Sequence, residues 1–69
     1  GKEIAIKTQY AWDQQFNTEI NVVYGNEWNA GNLSYHLKSR PVWEGVIERK
    51  KLDQLKDYMC LDNVCVGSK

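Results

Sequence analysis

Histidine and proline occur once each in the 69-residue chain, as His36 and Pro41, and cysteine only twice, as Cys60 and Cys65. A lone histidine does acid–base work only with an orienting carboxylate and a nucleophile beside it, and no such constellation can be traced along the chain. Also missing are a glycine-rich phosphate loop, a nucleophile elbow and a zinc-binding helix motif. The chain is therefore expected to be no enzyme and to carry no cofactor. A structural zinc takes about four ligands. Only Cys60, Cys65, His36 and a carboxylate such as Asp62 are on offer, and the spacing C-L-D-N-V-C is wider than a zinc knuckle. No metal is expected either.

Long apolar runs are absent too. Nothing approaches the ~20 residues that span a bilayer, and no signal-peptide core is visible. The chain opens at Gly1, without methionine, as a processed product would. Net charge is the last absence: nine basic residues balance nine acidic ones, so no overall field draws the protein to nucleic acid or to a membrane. The balance hides an asymmetry. Thr8 to Leu37 carries Asp13, Glu19 and Glu27 and no Lys or Arg, whereas Lys38 to Lys56 carries six bases against Glu44, Glu48 and Asp53.

A chain of this length makes one domain, residues 1–69, with a thin core and marginal stability. Lys2 to Tyr10 alternates, with Ile4, Ile6, Thr8 and Tyr10 on one side, and reads as a half-buried strand. Trp12 and Phe16 stand four apart, able to meet across one helical turn or a wide loop. Thr18 to Tyr24 reads as a second strand. Gly25-Asn26 signals a turn leading into a polar loop, Asn26 to Asn32, with Trp28 near its centre. Leu33 to Lys38 reads as a third strand, broken by Ser39-Arg40-Pro41, and Val42 to Ile47 as a fourth with a bulge or a close approach at Gly45. Glu48 to Met59 switches to helical period through Leu52, Leu55 and Tyr58, and Val64 to Val66 reads as a short last strand. The fold class expected is α+β: a small antiparallel sheet of three or four strands packed by one C-terminal helix, with a disulfide-tied C-terminal tail.

Cys60 and Cys65 admit three readings: a structural disulfide, free thiols or a redox couple. A redox pair prefers the closer C-x-x-C spacing at a helix start. The favoured reading is a staple, and a staple implies an extracytoplasmic setting, periplasmic or secreted.

What the chain has in plenty is aromatic surface: three Trp, four Tyr and one Phe. Tyr10, Tyr35, Tyr58 and Trp43 suit the core or its edge. Trp28, among glycines and asparagines, is either an exposed anchor or a lid folded back on the sheet. The functional expectation is a non-catalytic protein-binding module, such as a small inhibitor, an exclusion or immunity factor or an accessory subunit. Its contact residues would be Tyr24, Glu27, Trp28 and Asn29. The alternative is a nucleic-acid-binding module in which Arg40, Arg49, Lys50 and Lys51 meet phosphates and Trp43 or Tyr35 stacks on a base.

Overall fold

The computed structural model describes residues 2–69. Its elements are α1 (Lys2–Gln15), β1 (Val22–Gly25), α2 (Glu27–His36), β2 (Val42–Trp43), α3 (Arg49–Leu52), β3 (Asp57–Leu61) and β4 (Val64–Ser68). The four strands lie in the order β2-β1-β4-β3. β1 and β2 are parallel, while β1–β4 and β3–β4 are antiparallel. The α+β class stands, but the sheet is mixed rather than antiparallel. A parallel neighbour needs a crossover, and α2 supplies it between β1 and β2.

Lys2 to Tyr10 is helical, not a strand. Its alternating pattern coexists with a helical one, and the helical one governs burial: Ala5, Thr8 and Trp12, at i, i+3 and i+7, are the buried residues of α1. Ile6 and Tyr10 are left on the outer face, 66% and 69% exposed. Good helix formers (Lys, Glu, Ala, Gln) occupy most of the remaining positions. Trp12 and Phe16 do meet across a turn, ring centroids 4.4 Å apart. The Trp12 indole N–H donates to the Thr18 carbonyl at 2.6 Å, which satisfies the polar end of a wholly buried side chain.

The loop and third strand read over Asn26 to Lys38 are in fact one helix. Asn26 is the N-cap of α2: its side-chain oxygen accepts from the Asn29 N–H at 2.8 Å and its carbonyl from the Ala30 N–H at 2.9 Å. Ala30, Leu33 and Leu37 then repeat at helical spacing into the core. The turn signal at Gly25-Asn26 is therefore the start of a helix. Gly25 itself has φ of 149°, and a Cβ there would lie 2.9 Å from both the Asn63 carbonyl oxygen and Val64 Cγ1. Only glycine allows this closeness between β1 and the β3–β4 turn. The second strand shrinks to Val22–Gly25, and the fourth to Val42–Trp43 before Gly45 (φ 107°) turns the chain away.

α1 and α2 cover one face of the sheet, packing Trp12, Ala30 and Leu33 against Val23, Met59, Val64 and Val66. The other face gathers Val22, Tyr24 and Cys65 under Leu52, with Leu55 and Tyr58 alongside. The helix expected over Glu48 to Met59 is only one turn, Arg49–Leu52. From Asp57 onward the period changes to two, because Met59 and Leu61 belong to the helix-covered face and Tyr58 to the other. The sheet is thus packed mainly by two helices from the N-terminal half, not by one at the C-terminus. Leu55 lies over Gly67, where a Cβ would come within 2.5 Å of its Cδ1.

Cys60 and Cys65 form a disulfide and are register partners on β3 and β4, with Cα atoms 4.0 Å apart. The bond therefore ties a hairpin closed by Asp62-Asn63, not a helix end to a tail. β4, expected as a short terminal strand, is a central one and is buried along its whole length. Tyr10 and Tyr35 are not core residues: they are 69% and 65% exposed, since helical geometry turns both outward.

Candidate partner-binding surface

The outer face of α2 brings together the largest exposed aromatic surface in one element. Trp28 is 80% exposed and Tyr35 is 65% exposed. They stand seven residues apart, two turns of helix, and so share one stripe. Between them lie Gly31 and Asn32, and the absence of a side chain at Gly31 leaves a notch. Asn26, Glu27, Trp28, Gly31, Asn32 and Tyr35 line this open depression, about 660 Å³ in volume. A Cβ at Gly31 would meet nothing within 4 Å, so the notch opens to solvent rather than onto another part of the fold.

The backbone beneath is well tied. The Asn26 cap fixes the first turn of α2, and the Asn32 amide donates to the Trp28 carbonyl at 3.1 Å. Tyr35 is held from two sides, by His36 edge-on at 4.9 Å and by the Arg40 guanidinium 5.1 Å from its ring centroid. Arg40 reaches this position from a left-handed backbone conformation, φ 50°. Ser34 Oγ donates to the Pro41 carbonyl and Ser39 Oγ to the Ile20 carbonyl, anchoring the α2–β2 connection.

The sequence-expected contact residues are only partly brought together. Glu27 and Trp28 are exposed on the first turn of α2, and Asn29 is half-buried beside them. Tyr24 is 3% exposed and points to the opposite face of the sheet, where its hydroxyl donates to Glu44 at 3.4 Å. It offers nothing to a partner on α2. Burial, then the neighbouring Glu44 carboxylate, hold the Tyr24 hydroxyl above its ordinary value of 10.0. The hydrogen bond to Glu44 likewise raises the Lys69 ammonium above 10.5, and the same pair forms a salt bridge. Gly31, Asn32 and Tyr35 were not expected at this surface. Counting i+3, i+4 and i+7 from Trp28 finds all three, once Asn26 is read as an N-cap.

The alternative set does not converge. Arg40 covers Tyr35 beside α2, whereas Arg49, Lys50 and Lys51 belong to α3, across the sheet. Arg49 pairs with Asp53 at 3.5 Å and Lys51 with Glu48 at 3.1 Å, so part of that charge is already matched. Trp43 is 38% exposed, and its indole N–H donates to the Gly25 carbonyl at 2.8 Å. A second depression lies between α1 and the end of α2, bordered by Ile6, Tyr10, Glu19, His36 and Lys38. Among the described residues no three His, Cys, Asp or Glu side chains gather as a metal site, and no helix is long and apolar enough to cross a membrane. Set against family models, curated proteins and solved structures, the chain matches none of them.

Proposed function

We propose that this chain is a non-catalytic protein-binding module whose contact surface is the outer face of α2, centred on Trp28 and extending through Glu27, Gly31, Asn32 and Tyr35. The observation that carries the reading is an 80% exposed tryptophan held on a capped helix, with a second exposed aromatic two turns away. On an ordered element the backbone needs no further ordering on binding, and Trp and Tyr bury a large area for only two side-chain torsions, which suits them to interface hot spots. The core does not need Trp28, because Ala30, Leu33 and Leu37 already seat α2. The disulfide supports placing the module in an oxidising, extracytoplasmic setting, where an inhibitor, an exclusion or immunity factor or an accessory subunit would act.

The test is chemical crosslinking of the unsubstituted chain in extract of the native source, followed by affinity measurement with the protein recovered. Trp28→Ala is expected to weaken that binding at least tenfold and to change stability by no more than about 0.5 kcal/mol, as for other exposed sites. Binding that survives Trp28→Ala would remove the reading.

A further inference from the structure

We infer that the α2 surface docks a proline-rich segment of its partner in the polyproline II conformation, a proposal that rests on the protein-binding reading above. Two rings on one helical stripe seven residues apart are separated by about 10 Å along the axis, and the general lean of helical side chains towards the N-terminus carries that spacing outward. A polyproline II helix repeats every three residues, and its successive same-face residues are about 9 Å apart. Residues i and i+3 of such a segment would therefore pack one on Trp28 and one on Tyr35, with the ridge between them over the Gly31 notch. An extended strand places same-face residues at about 7 or about 14 Å and misses the pair.

A helical occupant has similar spacing, and hydrogen-bonding chemistry separates it from polyproline II. The indoles of Trp12 and Trp43 both donate to backbone carbonyls. The Trp28 indole N–H and the Tyr35 hydroxyl have no such partner among the described residues, and the Asn26 side-chain amide adds a third donor at the rim. Water satisfies these donors in the free chain, and an occupant that displaces that water has to supply acceptors in its place. A helix has spent its carbonyls on its own ladder, whereas a polyproline II backbone makes no internal bonds and presents every carbonyl. A surface of aromatic rings and side-chain donors is the complement of such a chain.

Charge sets the direction. Glu27 borders the notch beside Trp28, and Arg40 covers the Tyr35 end. The segment is therefore expected to carry a base near the proline that meets Trp28, and no base near the one that meets Tyr35.

The proposal is tested with the intact, oxidised chain and a fluorescein-labelled peptide of the pattern Arg-Ala-Pro-Leu-Ala-Pro. Two control peptides replace both prolines by alanine or the arginine by glutamate. The proline peptide is expected to bind at least tenfold more tightly than its alanine version, and the arginine-to-glutamate version about threefold more weakly. Trp28→Ala, Tyr35→Ala and Gly31→Leu should each weaken binding at least tenfold, while Tyr10→Ala leaves it unchanged. Gly31→Leu separates docking from folding: the added side chain fills the notch, has free space around its Cβ, and replaces a poor helix former, so the thermal midpoint should rise. Proline and alanine peptides of equal affinity would overturn the inference. If the native partner then still required Trp28, the protein-binding reading would stand without it. If neither peptide nor partner responded to Trp28→Ala, both would fall.

Discussion

Trp12 and Trp28 are the same residue in opposite circumstances. Trp12 is wholly buried, stacked on Phe16, with its N–H on the Thr18 carbonyl. Trp28 stands in solvent on the same side of the sheet. Residue type alone left both open. Helical phase decides: Trp12 follows Ala5 and Thr8 on the inward stripe of α1, whereas Trp28 is out of phase with Ala30 and Leu33 on α2. Tyr24 shows the converse, an aromatic expected at a binding surface and claimed by the second core instead. Its hydroxyl and the Lys69 ammonium both hold their protons more tightly when folded than when unfolded. Their contribution to stability is therefore complete below the ordinary value of 10.0 and is lost as pH rises through the folded value. Denaturant melts from about pH 8 to about pH 11 should show stability falling on the alkaline side, and Tyr24→Phe should make that fall shallower. An unchanged alkaline slope in Tyr24→Phe would contradict the assignment.

At the level of elements, the legible features were those with one physical cause. The Trp12–Phe16 pair does meet across a helical turn, and the cysteines do pair. The misread elements were those where two periods fit the same residues. Ile4, Ile6, Thr8 and Tyr10 alternate, yet Ala5, Thr8 and Trp12 bury. Small residues on the inward stripe hid it, because Ala5 and Thr8 carry little weight in an apolar pattern. Over Leu52 to Met59 the reverse happened, and a helical spacing hid the start of a strand. Gly25-Asn26 looked like a turn because Asn serves both turns and N-caps. The cap gives α2 its own test: Asn26→Ala should cost about 1 kcal/mol, and Asn26→Asp much less. Equal losses in the two variants, measured by urea melts, would mean that the side chain does not cap. The candidate surface was half legible. Trp28 and Glu27 were found from composition, but Gly31, Asn32 and Tyr35 required the helix.

Across the whole molecule, a mixed sheet sits between a two-helix layer and a single turn of helix, and each face has its own small core. So short a chain buries little surface relative to its length and benefits from a covalent tie. The Cys60–Cys65 bond joins β3 to the central strand β4, which in turn pairs with β1. Because it closes a loop of only about six residues, reducing it should cost roughly 2 kcal/mol. A loss near zero in denaturant melts with and without reductant would assign the hairpin's stability to packing alone. The Asn26 cap and the packing of Ala30, Leu33 and Leu37 hold α2 in place with Trp28 outside, which is what a docking surface needs. The most direct test compares Trp28→Ala with the parent chain in two measurements on one sample, the dissociation constant for the crosslinked partner and the thermal midpoint. Binding at least tenfold weaker with the midpoint within about 3 °C is the predicted result. A midpoint lowered by about 10 °C or more with affinity unchanged would make Trp28 a core residue and contradict the account.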